Sequence, residues 1–258
     1  MAMFGLGRKK CVPRITAVSE SSVGLVRDNN EDHLLTDSAH LVYCVADGMG
    51  GGAEGEKASE IVCAELAMLV RLQPEEFAAR MEAACNAVVC SNEAIFDYAQ
   101  SMGFRQMGTT VALIVFDPEN SAHAVICHVG DSRIYRFRRG LASALTRDHT
   151  VGAELAHRFG GSDELASRSN PLSHVLTRAI GTGGTVSPDW KKLSLQPGDR
   201  YLLCTDGVHD VVSIERLQWL VGRGTLEEAK QALAEEVVGC GAPDNFSFVI
   251  LDVEESCS

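Results

Sequence analysis

The stretch Val42-Tyr-Cys-Val-Ala-Asp-Gly-Met-Gly-Gly-Gly-Ala-Glu-Gly-Glu-Lys-Ala-Ser59 sets the reading of the whole chain. Its apolar half, Leu41 to Ala46, predicts a short buried strand that stops at one carboxylate, Asp47. Gly48, Gly50, Gly51, Gly52 and Gly55 follow, and an amphipathic helix opens from Ala53. Taking a carboxylate out of water is costly unless a positive charge compensates it. Glycine lets backbone come close to whatever supplies that charge. No lysine or arginine lies within nine residues of Asp47 on either side. The pattern therefore predicts a metal ion, held with partners from distant segments.

Outward from this stretch, hydrophobic periodicity lays out the rest. Arg14 to Glu20 alternates as a strand, and Ser21 to Asp32 is polar and loop-like, carrying Arg27, Glu31 and Asp32. A helix is predicted from Ala53 to about Leu72, with Ile61, Val62, Met68 and Leu69 inward. Pro74 suits the first turn of a second helix, where Phe77, Met81, Cys85, Val88, Ile95 and Ala99 keep helical spacing to about Gln100. Strands follow over Thr109 to Phe116, Ala122 to Val129, Arg133 to Arg138 and Leu141 to Leu145, with turns at Asp117 to Asn120 and Arg138 to Gly140. Connections this short predict antiparallel pairing of successive strands.

Thr150 to Phe159 reads as a short helix, and the irregular segment Gly160 to Pro171 as a mobile flap. Strands are expected at His174 to Ala179, Lys191 to Leu195, Arg200 to Cys204 and Phe246 to Val253. Helices are expected near Ser213 to Val221 and Thr225 to Val238. With no internal repeat, low-complexity tract or linker, the 258 residues read as one α+β domain.

A net charge of −12 argues against a nucleic-acid partner. Nine cysteines are an odd count, none in a Cys-x-x-Cys pair, and Cys44, Cys127 and Cys204 sit in apolar runs, so free thiols in a reducing, cytoplasmic compartment are expected. Arg8, Lys9 and Lys10 precede no apolar block of the kind a secretory signal carries. The longest apolar runs, such as Val111 to Phe116, are strand-sized, so no membrane span is expected.

One device recurs along the chain. Asp47 ends Val-Tyr-Cys-Val-Ala, Asp131 ends Val-Ile-Cys-His-Val-Gly, Asp206 ends Tyr-Leu-Leu-Cys-Thr, and Asp244 opens the final strand. A single strand-end aspartate is ordinarily a turn or cap residue. Four of them bounded by apolar strands predict convergence on one rim of a sheet. Converging carboxylates raise one another's pKa values, and a hard divalent cation removes the conflict. An oxygen-only donor set suits Mg2+ or Mn2+ better than zinc. Two such ions activate a water and clamp phosphoryl oxygens. Arg27, four residues before Glu31, offers the planar fork that grips phosphate; standing alone it would read as a solvated surface arginine.

Taken in order, Arg27-x-x-x-Glu31-Asp32, Asp47-Gly-Met-Gly-Gly51, Met107-Gly-Thr-Thr110, His128-Val-Gly-Asp-Ser-Arg133, Leu176-Thr-Arg-Ala-Ile-Gly181, Thr205-Asp-Gly207 and Asp244-Asn245 resemble the metal-dependent protein phosphatases of the 2C (PPM) type, most closely the compact bacterial members. The resemblance covers about residues 14–253 and leaves 1–13 as an N-terminal extension. It implies a four-layer αββα sandwich, two mainly antiparallel β-sheets flanked by helices, with a dinuclear Mn2+ or Mg2+ site at one edge. By position, Asp47 would bridge both ions and the Gly48 carbonyl would bind the second. Asp206 and Asp244 would complete the first, with Glu31 and Asp32 acting through coordinated water. Asp131, with Asp206, matches the residues that hold a third, weaker ion, and Arg27 would receive the substrate phosphate. The implied reaction is hydrolysis of phosphoserine or phosphothreonine in proteins by a metal-bridging hydroxide, without a phosphoenzyme. It would be carried out by a monomer opposing a serine/threonine kinase.

Animal members carry a histidine after the Asp-Gly pair as general acid, where this chain has Met49. Bacterial members commonly share the methionine, and the leaving-group proton is then expected from a metal-bound water. None of the eight histidines is an obvious substitute; His128 reads as structural, and His149 and His209 lie near motifs.

Two other readings compete. Gly50-Gly-Gly-Ala-Glu-Gly55 satisfies the dinucleotide glycine fingerprint, but that fold needs a parallel strand and an acid about twenty residues on; Pro74-Glu-Glu76 there opens another helix. Lys57 does not follow a glycine, so a Walker loop fails as well. A non-catalytic regulatory or binding module with the same fold would be favoured by loss of a metal aspartate, and none is lost.

Overall fold

Runs such as Val111-Ala-Leu-Ile-Val-Phe116 are apolar at every position, which a strand tolerates only when both its faces are covered. A computed structural model, describing residues 14–71, 77–118, 122–160 and 170–254, supplies both covers. The strands are β1 (Arg14–Ser22), β2 (Asp32–Asp37), β3 (Val42–Met49), β4 (Gly108–Thr109), β5 (Val111–Phe116), β6 (His123–Val129), β7 (Arg133–Arg138), β8 (Leu141–Ala144), β9 (Asp189–Ser194), β10 (Arg200–Cys204) and β11 (Phe246–Glu254). The helices are α1 (Ala53–Arg71), α2 (Phe77–Met102), α3 (Val151–Arg158), α4 (Asp206–His209), α5 (Ile214–Val221) and α6 (Leu226–Gly239).

Two antiparallel sheets result. One runs β1-β11-β10-β7-β8 and the other β2-β3-β5-β6-β9, with the short β4 extending the latter along β3. Alternation along each strand divides its residues between two cores. In β5, Val111, Leu113 and Val115 meet Val62, Leu66, Val88 and Ile95 of α1 and α2, while Ala112, Ile114 and Phe116 face the other sheet. In β11, Phe248 and Ile250 meet Leu217, Leu220 and Leu233 of α5 and α6, while Val249, Leu251 and Val253 face inward. The layers are therefore helix, sheet, sheet, helix, as the sequence predicts. Thr225 closes a capping box with Glu228 at the start of α6, which fixes where that helix begins. Among the described residues no helix is long and apolar enough to cross a membrane.

Several expectations are corrected. The strand expected over His174 to Ala179 is a 3-10 turn, Pro171–His174, followed by isolated bridges from Leu176 to Thr150 and from Ile180 to Thr109. Asn170 caps that turn, and the segment is pinned at single points instead of running along a sheet edge. Successive strands do not all pair: β5 pairs β6 and β7 pairs β8, but β6 and β7 lie in different sheets. Gly130, at φ 101, carries the chain across that gap in the left-handed region that glycine tolerates. Met68 lies on the outer side of α1 and is 49% exposed. Edge strand β2 falls where no element is predicted, because Asp-His-Leu-Leu-Thr-Asp is half-exposed and mixes charge with apolar residues. Pro74, the side chain of Leu69, most of the expected flap and the N-terminal extension lie outside the described residues.

Candidate metal centre

Antiparallel connectivity brings the ends of β3, β6 and β10 and the starts of β2, β5, β7 and β11 to one rim of the sandwich. Asp47 lies opposite Asp32 in the β2–β3 register, and two residues beyond Val45, which faces the other sheet. Its backbone is fixed on both sides: the Asp47 N–H donates to Thr110 Oγ1 at 3.0 Å, and its carbonyl accepts from the Thr110 N–H and the Thr109 hydroxyl at 2.9 Å. Thr110 in turn exchanges a 2.7 Å hydrogen bond with Ser132, beside Asp131.

Glu31 is placed by Asn245 and by the glycine turn. Its N–H donates to Asn245 Oδ1 at 2.9 Å, while Asn245 Nδ2 donates to the carbonyls of Val23 and Asn29. The Glu31 carbonyl accepts from Gly48 N–H at 3.1 Å and from the Ser59 hydroxyl at 2.6 Å, and Oε1 accepts from Gly52 N–H at 2.6 Å. A Cβ at Gly48 would strike the Gly55 carbonyl, and one at Gly55 would strike Glu31 Oε2. Gly48 and Gly55 thus let the turn pack directly against Glu31, a close approach within the protein itself, where the sequence reading expects backbone to approach a bound positive charge.

A cleft of about 300 Å³ opens here, and Arg27, Glu31, Asp47, Gly48, Asp131, Asp206 and Asp244 all line it. Asp32 lies beneath, 4% exposed, with Oδ2 accepting the Thr205 hydroxyl at 2.9 Å. At the mouth, Arg27 Nη2 donates to Asp244 Oδ2 at 2.7 Å.

The acids cannot all hold their charge by themselves. Burial, then Asp206, Asp32 and Asp131, pushes the Asp47 carboxyl well above its ordinary value. Burial followed by Asp206 does the same to Asp131. Burial raises Asp206, which lies beside Asp47, and lifts Asp32 to about 7. Carboxylates and a backbone carbonyl form an oxygen-only donor set, the chemistry that hard divalent cations favour. The residues present therefore fit a pair of Mn2+ or Mg2+ ions.

A second group of metal-ligand type, His128, His149 and Asp189, has its ligand atoms within 4.8 Å of one another. Its hydrogen bonds argue against a cation. Gly130 N–H donates to His149 Nδ1 at 3.1 Å, which leaves the proton on Nε2, facing Asp189 Oδ2 at 3.3 Å. A nitrogen bearing a proton has no lone pair for a metal, and ligating imidazoles donate through their other nitrogen instead of accepting there. His128 Nε2 meets the Arg147 carbonyl at 2.9 Å. The group is a relay that braces the Gly130 turn, so His128 is structural as the sequence suggests, and His149 joins it. His209, on the Asp131 carbonyl at 3.0 Å, braces the same turn from the other side.

One lining residue is missed by the sequence reading. His174 faces the same cleft. Its signal is only position, two residues ahead of the Leu176-Thr-Arg motif.

With this geometry in view, likeness to known proteins becomes informative. The serine/threonine protein phosphatase PstP of Mycobacterium tuberculosis is 36% identical over 246 residues, which cover 93% of this chain and 46% of PstP. The chain thus spans about half the length of that relative. Protein phosphatase PhpP of Streptococcus pneumoniae is 28% identical over 241 residues, 91% of this chain and 96% of PhpP. The crystal structure of the PstP catalytic domain in complex with two manganese ions aligns with a TM-score of 0.80 at 33% identity, covering 93% of this chain and 99% of that one. PppA, a key regulatory component of T6SS in Pseudomonas aeruginosa, aligns with a TM-score of 0.83 at 29% identity, covering 94% and 99%. A family model described as Protein phosphatase 2C matches residues 20–237, and on that match and the PstP likeness this chain belongs to the protein phosphatase 2C family.

Proposed function

We propose that this chain is a metal-dependent protein serine/threonine phosphatase, with residues 14–253 as its catalytic domain. The observation that carries the reading is the meeting of Asp47, Asp131, Asp206 and Asp244 in one cleft with Arg27 at its mouth. Asp47 would bridge two ions with the Gly48 carbonyl on the second, Asp206 and Asp244 would hold the first, and Glu31 and the deeper Asp32 would act through coordinated water. Asp131 with Asp206 would hold a third, weaker ion. Bound Mn2+ or Mg2+ supplies acidification of water and neutralisation of phosphoryl oxygens. The chain supplies the rest. Arg27 exchanges its contact with Asp244 for the substrate phosphate, a bidentate grip that guanidinium makes well. The Thr110 and Asn245 networks keep Asp47 and Glu31 from relaxing apart.

Protein phosphoserine or phosphothreonine is the substrate class, and the enzyme reverses a serine/threonine kinase as a cytoplasmic monomer. Support comes from the names of PstP and PhpP, and from buried free thiols such as Cys44, Cys63, Cys127 and Cys204, which suit a reducing compartment.

The test is p-nitrophenyl phosphate hydrolysis in Mn2+ with and without EDTA. Turnover that EDTA abolishes is expected; equal rates in EDTA would leave only a binding module built on the fold.

A further inference from the structure

Hydrolysis of a phosphoserine or phosphothreonine ester expels an alkoxide, the conjugate base of an alcohol about as weakly acidic as water. A proton delivered in the transition state typically accelerates such a step about 10²–10⁴-fold. The residue following Asp47-Gly48 is Met49, whose thioether carries no proton to give. Arg27 does not release its proton at working pH, and the acids of the floor are the groups that would hold the metals.

Of the eight histidines, only His174 lines the cleft. It closes the 3-10 turn Pro171–His174, and its backbone is held on both sides. Asn170 Oδ1 accepts from Leu172 N–H at 3.1 Å, and the Val175 carbonyl accepts from Val151 N–H at 2.8 Å. The imidazole Nδ1 lies 3.4 Å from Asp210 Oδ2, and Asp210 Oδ1 lies 3.3 Å from His209 Nδ1. Asp210 is itself tied to the metal floor, its N–H donating to the Asp206 carbonyl at 2.8 Å at the end of α4. His174 thus lies beside a carboxylate at Nδ1 and lines the cleft as well. A carboxylate on one imidazole nitrogen and a reacting group on the other is the arrangement by which proteins aim a histidine for proton transfer. The side chain is 48% exposed, at the wall of the cleft.

From this placement, and resting on the phosphatase reading above, we propose that His174 is the proton donor to the departing seryl or threonyl oxygen, oriented by Asp210. The water oxygen bonds to phosphorus and sheds a proton to solvent. The bond from phosphorus to the side-chain oxygen breaks with its electron pair on that oxygen, which takes the Nε2 proton of the imidazolium. The neutral ring then regains a proton from water. The products are the free alcohol and inorganic phosphate, and no other reactant is consumed.

The leaving group provides the test, because p-nitrophenolate departs as a stable anion and needs no donor. His174→Gln and His174→Ala are assayed in Mn2+ on a phosphothreonine peptide and on p-nitrophenyl phosphate. Mn2+ affinity is measured alongside by titration calorimetry. The expected result is a drop of about 10²–10⁴-fold in kcat on the peptide, little change in KM, unchanged hydrolysis of p-nitrophenyl phosphate and unchanged Mn2+ affinity. Added imidazole should restore part of the peptide turnover of His174→Ala. Equal losses on both substrates, or weaker Mn2+ binding, would overturn the assignment in favour of a role in binding. Unchanged peptide turnover would overturn it in favour of a proton delivered by water at the metals. A parent enzyme with no metal-dependent turnover of p-nitrophenyl phosphate would sink the phosphatase reading itself, an outcome distinct from either of these.

Discussion

Strand β10 carries a carboxylate beyond each of its ends, and the fold treats the two in opposite ways. Asp199, just before Arg200, is clasped by Arg138 through Nε and Nη2 at 2.5 and 2.6 Å, by the Gln196 N–H at 2.8 Å and by the Tyr201 hydroxyl at 3.2 Å. Asp206, two residues past Cys204, lies beside another acid, Asp47, with further carboxylates nearby. Among the described residues no lysine or arginine is ion-paired to Asp47, Asp131 or Asp206, whereas Asp148, Asp199 and Asp252 each hold an arginine. A carboxylate that serves the architecture comes with its own cation. One that serves chemistry leaves the compensating charge to be supplied from outside, at a cost to stability.

Removing the acid at the functional end should produce the largest effect. Asp206→Asn is expected to lower Mn2+-dependent hydrolysis of p-nitrophenyl phosphate by about 10³-fold, the scale of losing a preorganised electrostatic group. In metal-free protein the same change should raise Tm by about 2–4 °C, equivalent to roughly 1 kcal/mol of relieved repulsion; a lowered Tm would show that the acids are not in conflict.

At the architectural end the signs reverse. Asp199→Ala leaves Arg138 without its buried partner and should cost roughly 3 kcal/mol in urea unfolding, while turnover per folded molecule stays at the parent value. A loss of turnover would mean that the two ends are coupled.

Arg27 spans both categories, being ion-paired to Asp244 and 53% exposed in its side chain. Arg27→Ala is expected to reduce phosphopeptide kcat/KM by about 10²-fold with little change in Tm. Unchanged kinetics would make it a surface charge.

The smallest effect concerns pH. Burial, with His128 alongside, holds His149 down to about 4, against about 6.5 for an ordinary imidazole. The unfolded chain therefore takes up this proton first as pH falls, so stability is lost between about pH 6.5 and 4 and levels off below. His149→Asn, which can still accept from Gly130 N–H, should flatten that part of the curve; an unchanged slope would assign the acid sensitivity to other groups.

Much of this was legible in the residues themselves. Strands buried on both faces declare themselves by unbroken apolar runs, which is why β3, β5, β6, β10 and β11 fall close to where they are expected. Seven of the eight expected site residues line the cleft because each is marked by its own strand end, glycine turn or motif spacing. Asp32 is adjacent but deeper, since its place opposite Asp47 follows from the pairing of a strand the sequence did not announce. The flat pattern of β2 and the bridges of Leu176 and Ile180 reflect contacts with partners far along the chain, which local periodicity does not encode.

What the sequence determined alone is the inventory: apolar strands that must be covered on both sides, and acids placed at their ends with no lysine or arginine near Asp47 in the chain. What only the tertiary structure decided is which of those acids receive a cation from the protein. Arg138 lies 61 residues from Asp199, and Arg27 lies 217 from Asp244. Charge compensation acts through space, so partners and competitors alike become defined only when the two sheets close on each other. The placing of His174 at the wall of the cleft belongs to that same closure.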